Sequence, residues 1–148
     1  MRTRTALAFI AALLLALTGC SSGSDDKANA APAGSSAAKK KTDADKATLE
    51  QAVRDYTAAL FSGDASGYNL VSARCQKQMS AAAFTTLAKD AHQQYGSQKA
   101  TGVHIDQIAG DLARVSYGAG NIPQFNRESQ AWTREGGTWR WDACPSIG

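Results

Sequence analysis

Trp132-Thr133-Arg134-Glu135-Gly136-Gly137-Thr138-Trp139-Arg140-Trp141 is the stretch that decides the fold. Gly136-Gly137 suits a two-residue hairpin turn, which needs positive φ at its centre. Around that turn Glu135 faces Thr138, Arg134 faces Trp139, Thr133 faces Arg140 and Trp132 faces Trp141. Side chains alternate along a strand, so Trp132, Arg134, Trp139 and Trp141 share one face. The tryptophan pair contributes about 0.2–1 kcal/mol across the strands, and Arg134 is placed to lie over an indole. A hairpin with so large an apolar face needs a second layer to cover it.

Two further runs alternate in the same way. Val103 and Ile105 alternate with His104 and Asp106; Ala113, Val115 and Tyr117 alternate with Arg114 and Ser116. Gly110-Asp111 between them reads as a turn. The covering layer comes from earlier in the chain. Leu49, Ala52, Val53, Tyr56 and Leu60 fall on one helical face. Asp45 or Thr48 is placed to cap that helix, Thr48 with Gln51 as a capping box, and Ser62-Gly63-Asp64 ends it. Phe84, Leu87, Ala88, Ala91 and Tyr95 repeat the spacing between Ser80, a good N-cap, and Gly96, a stop. A shorter helix is expected over residues 66–76 and carries Cys75. The expected class is α+β: N-terminal helices packed on a curved antiparallel sheet of about four strands.

The N-terminus has its own logic. Arg2 and Arg4 precede an unbroken apolar run over residues 6–16. As a helix that run is roughly 16 Å long at ~1.5 Å per residue, too short for a hydrocarbon core of ~30 Å. These are the marks of a secretory signal. Leu17-Thr18-Gly19-Cys20 closes the run and resembles the lipobox of bacterial lipoproteins at all its positions. The resemblance implies a diacylglyceryl thioether on the Cys20 sulfur and cleavage before Cys20. It also implies a mature protein anchored in the outer face of the cytoplasmic membrane. The alternative is an ordinary secretory signal with Cys20 incidental. One acyl chain holds only marginally at ~0.8 kcal/mol per buried methylene, whereas two or three hold stably.

The chain therefore divides into a signal over residues 1–19, a lipidated Cys20 with a flexible tether over 20–46, and a folded domain over 47–148. The tether has no large apolar side chain and cannot offset its ordering entropy. The formal net charge of +3 comes from the signal and tether. From Ala47 onward basic and acidic residues balance, which gives no ground for nucleic-acid binding. With Cys20 assigned to lipid, Cys75 and Cys144 remain in an oxidising compartment, where a disulfide is the default. The loop it closes corresponds to about 4 kcal/mol in the chain-entropy treatment.

The order of features is telling: a helix, a Ser-Gly-Asp break, a Cys-bearing second helix and a Trp-rich final hairpin running on to Cys144. It resembles the NTF2-like (cystatin-like superfamily) domains of exported bacterial lipoproteins, over residues 47–144. The resemblance implies a cone, a curved sheet wrapped around the helices. Ketosteroid isomerases and polyketide cyclases of that family keep an acidic base in the cone, but none of their residue motifs carries onto this chain. No catalytic residue, cofactor or metal is expected; the chain has only two histidines, and its remaining thiols are expected to pair. His104 and Asp106 form a base and its orienter if their face lines the cone, and face solvent if Val103 and Ile105 meet the helices. Trp132, Trp139, Trp141, Tyr56 and Tyr95 are either core packing or a pocket wall. The expected function is a membrane-anchored, non-catalytic binding module for an envelope protein. The alternatives are a carrier of a small apolar ligand and an enzyme built on His104 and Asp106. An apolar cavity of ~300 Å³ or more favours the carrier.

Overall fold

The computed structural model of the protein describes residues 33–145. The signal, the lipobox with Cys20 and the first part of the tether lie outside the described residues. The elements are α1 (Ala33–Leu60), a 3-10 turn (Ser66–Leu70), α2 (Ala73–Gln76), α3 (Ala81–Tyr95), β1 (Ala100–Ala109), β2 (Leu112–Ala119), β3 (Ile122–Glu135) and β4 (Thr138–Trp141). The class is α+β, with helices beside a four-stranded antiparallel open sheet in the order β1-β2-β3-β4.

The hairpin has the register read from the sequence, with Trp132 opposite Trp141 and Glu135 opposite Thr138. Its turn holds Gly136 at φ 56° and Gly137 at φ 83°. Gly110-Asp111 joins β1 to β2, where Ala109 pairs with Leu112. Strand β3 is less regular. Val115 pairs with Gln130 and Tyr117 with Arg127, so β3 uses three residues where β2 uses two. Ser129 absorbs the extra residue at φ 46°. Such a bulge bends the strand and turns the following side chains.

Two helix expectations are corrected. Neither Asp45 nor Thr48 caps α1, which starts at Ala33 and takes in residues 33–46 of the stretch read as tether. Ala and Lys are strong helix formers and need no buried face to extend a helix. Thr48 instead donates to the Asp45 carbonyl at 3.0 Å, and Gln51 donates to Asp55 at 2.7 Å. The helix expected over residues 66–76 is two short pieces. Val71 bridges to Trp141 in parallel, and the Ser72 amide donates to the Trp141 carbonyl at 2.9 Å. Bonding to the sheet pulls both residues out of helical geometry, and the Ser72 side chain then caps α2.

The core follows the helix stripes. Leu49, Val53 and Tyr56 of α1 and Phe84 and Ala88 of α3 are buried against Ala113, Val115, Tyr117, Trp132 and Trp139. Leu87 is the exception, 48% exposed on α3. Cys75 of α2 is joined to Cys144, three residues past β4, across a sequence separation of 69 with Cα atoms 5.5 Å apart. Arg74 grips the same segment, meeting the Asp142 carboxylate at 3.1 Å and its carbonyl at 2.7 Å.

Gly67 fixes how closely the 3-10 turn approaches the helices. A Cβ there would lie 2.6 Å from Cζ of Phe84 and 2.9 Å from Cβ of Ala59. Both neighbours are rigidly packed, so Gly67→Ala is expected to cost about 1–3 kcal/mol of overpacking. Thermal unfolding checks this: the midpoint falls, and Phe84→Leu in the same chain recovers part of the loss. An unchanged midpoint refutes the packing argument.

Candidate functional site

The helix-facing side of the sheet is not filled at one end. Strand β4 is only four residues long, and the last bond to β3 on that side runs from the Asp142 amide to the Ala131 carbonyl at 3.0 Å. The earlier half of β3 has no strand beside it there. A cleft of about 200 Å³ opens between that half of β3, α1 and α3. Tyr56, Thr57 and Leu60 of α1, with Phe61 just past its end, form one wall, and Leu87 and Ala91 of α3 the other. Tyr117 and Ala119 of β2, Phe125, Arg127 and Gln130 of β3 and Trp141 of β4 complete it with Met79.

Two polar residues of the α1 wall are buried: Thr57, 2% exposed, whose hydroxyl donates to the Val53 carbonyl at 2.8 Å, and Tyr56, 5% exposed. The Tyr56 ring stacks on Trp141 with centroids 5.4 Å apart and meets Trp132 edge-on at 5.9 Å. Among the described residues its hydroxyl makes no hydrogen bond, and its oxygen is not sealed from solvent. The Tyr117 hydroxyl donates to Oε1 of Gln130. Burial pushes both phenols well above their ordinary range, so they stay neutral donors. Arg127 lies over the Phe125 ring at 5.4 Å and donates to the carbonyls of Gln124 at 3.0 Å and Asn126 at 3.2 Å. Among the described residues it has no carboxylate partner. No acid or imidazole lines the cleft.

His104 and Asp106 lie on the other side of the sheet. Val103 and Ile105 meet the helical layer, and the His104 side chain is 76% exposed. The Asp106 carboxylate accepts from Nδ1 of His104 at 3.0 Å, from Ser116 at 2.8 Å and from Ser129 at 3.0 Å. These bonds, His104 first, hold its carboxyl below the usual range. A depressed folded value means that its contribution is present above the ordinary carboxyl range and is lost as pH falls through the folded value. The cluster ties β1, β2 and β3 together and pins the bulge at Ser129. It is a strand clasp, with neither serine bonded to the imidazole.

A wider hollow of about 700 Å³ lies on that outer side beside Leu112, Arg114, Asp142 and Cys144. It is open to solvent. Arg74 is already paired with Asp142, and Arg114 donates to the Ser129 carbonyl at 3.2 Å. The one metal-ligating cluster among the described residues is Cys75, Asp142 and Cys144, whose sulfurs are consumed by the disulfide. The smaller cleft is therefore the better site.

Of the residues singled out from sequence, Tyr56 and Trp141 come together in the cleft wall. Trp132 backs Tyr56 from beneath. Trp139 carries the Arg134 guanidinium at 4.4 Å, which also meets Asp45 at 3.1 Å. Tyr95 is not a wall residue; it packs edge-on with Phe61 at 6.3 Å and Phe125 at 5.2 Å. Phe125, Arg127 and Gln130 escaped the sequence reading because the bulge destroys the alternation of residues 122–131. No protein-family model matches the chain, and neither a curated protein nor a solved structure matches it.

Proposed function

We propose that the protein is an exported, lipid-anchored and non-catalytic binding module of NTF2-like fold. It meets an envelope component through the cleft between α1, α3 and β3. The observation that carries this reading is the composition of the cleft wall: apolar and aromatic side chains, two phenols held protonated, and one arginine with no carboxylate partner among the described residues. Such a wall binds; general acid–base work at neutral pH needs a group that titrates there. The cleft volume, about 200 Å³, is below the ~300 Å³ of pockets for drug-sized molecules, which favours a ring-sized group. Helices followed by an antiparallel meander support the NTF2-like reading, and the lipobox residues Leu17 to Cys20 support the anchor.

Cys20→Ala is expected to move the protein from the membrane fraction to the soluble exported fraction. A photo-crosslinking residue at Leu87, 48% exposed on the cleft wall, is expected to capture an envelope component in intact cells, read as a mass shift. The same residue at Leu112, 60% exposed beside the outer hollow, is expected to capture none. Equal capture from both positions, or none from either, overturns the cleft as the binding surface.

A further inference from the structure

The Thr57 hydroxyl of the cleft is spent on the Val53 carbonyl, and the polar groups left to a ligand are mainly donors. Tyr56, 5% exposed as a residue, presents at the cleft a hydroxyl that makes no hydrogen bond among the described residues. Gln130 gives its oxygen to Tyr117, which leaves its amide NH₂ as a donor. Arg127 adds a positive charge with no carboxylate beside it among the described residues. All three line the same cleft, and Arg127 stands on β3 opposite Tyr117. The rest of the wall is apolar, with Leu60, Leu87, Met79 and Phe125. Donors and a cation gathered in a partly dry corner are complementary to an anion, and charge-assisted bonds are the strong ones.

We propose that the cleft takes a compact, ring-sized apolar molecule bearing one carboxylate. The carboxylate sits on Arg127 and accepts from the Tyr56 hydroxyl, while the apolar body lies among Leu60, Leu87 and Phe125. This rests on the reading of the cleft as the binding surface and names the chemistry it selects. Tyr56 is a partner to the anion only while protonated, and burial keeps it so. The carboxylate must be ionised, so binding strengthens as pH rises through the ligand's own carboxyl pKa and then levels off.

The probe is 3-phenylpropionate, titrated into the full anchored chain in detergent and followed by the Trp141 indole N–H resonance and by calorimetry. Saturation is expected with a Kd on the order of 1 mM or tighter, a modest affinity for so small a molecule. The uncharged 3-phenylpropionamide, and acetate, which lacks the ring, are each expected to bind at least about ten-fold more weakly. Arg127→Gln is expected to weaken the acid by about ten-fold, Arg127→Lys by less, and Tyr56→Phe by about five-fold. Equal affinity for acid and amide in the unaltered protein overturns the proposal, and that comparison needs no variant to fold. Undiminished binding by a folded Arg127→Gln chain, or no saturation, also overturns it. If acid and amide bind alike while Leu87 still crosslinks, only the carboxylate assignment fails. If crosslinking fails as well, the binding-module reading fails with it.

Discussion

Replacing Trp132 with alanine is expected to lower the unfolding free energy by about 3–5 kcal/mol, a large share of the ~5–15 kcal/mol that holds a typical domain together. Trp132 is 1% exposed and sits where three elements meet. It touches Tyr56 of α1 edge-on at 5.9 Å and Tyr117 of β2 at 6.4 Å, and pairs with Trp141 of β4. Truncation leaves a void that none of these can fill, because each is pinned from another side. Its indole nitrogen, however, has no hydrogen-bond partner. Trp132→Phe removes that unpaired donor together with part of the ring, so its loss is expected to be much smaller, about 1–2 kcal/mol. Leu112→Ala, at 60% exposure, is expected to stay within about 0.5 kcal/mol. Urea unfolding of the three variants checks the order, and an alanine variant as stable as the phenylalanine variant refutes it.

Breaking the Cys75–Cys144 bond is the second large effect, expected to cost about 4 kcal/mol from the loop entropy returned to the unfolded chain. The native contacts around it survive the loss of the covalent bond. Arg74 still meets Asp142, and the Ser72 amide still meets the Trp141 carbonyl. The change therefore falls mainly on the unfolded state, and the spectrum of the folded protein is expected to be unaltered. Cys75 is fully buried, so the Cys75→Ala, Cys144→Ala double variant adds a small cavity. Reducing the unaltered protein removes the bond while keeping both sulfurs, and separates the two terms. An unchanged urea midpoint after reduction, with both thiols free by mass, refutes the assignment.

The hairpin and the helix stripes were legible because they rest on local rules. Gly136-Gly137 admits few turns, and once the turn is set the pairing of Trp132 with Trp141 follows from counting. The stripe from Leu49 to Leu60 is a matter of helical period. The pieces that were not legible depend on partners far away in the chain. Val71 and Ser72 leave helical geometry for Trp141, about seventy residues on. Ser129 takes a left-handed backbone because Ser116 and Asp106, on two other strands, supply its bonds. No residue within a local window announces either event. Arg127 and Gln130 were missed for the same reason, since the bulge that turns them toward Tyr56 hides the strand they sit on.

The sequence by itself determined the class of fold, the register of the last hairpin, the cysteine pair and the expectation of an exported, anchored chain. The fold class, the register and the anchor signal follow from spacing or composition within short spans, and the cysteine pair from what remains once Cys20 is assigned to lipid. The tertiary structure decided what those parts make. It ranked three tryptophans that look alike in sequence, burying Trp132 and Trp139 and leaving Trp141 to stack on Tyr56 at the cleft. It put His104 and Asp106 on the outer face and brought Arg127 to the inner one. The reason is physical: burial and the meeting of charges depend on which surfaces are covered, and cover is supplied by segments distant in the chain.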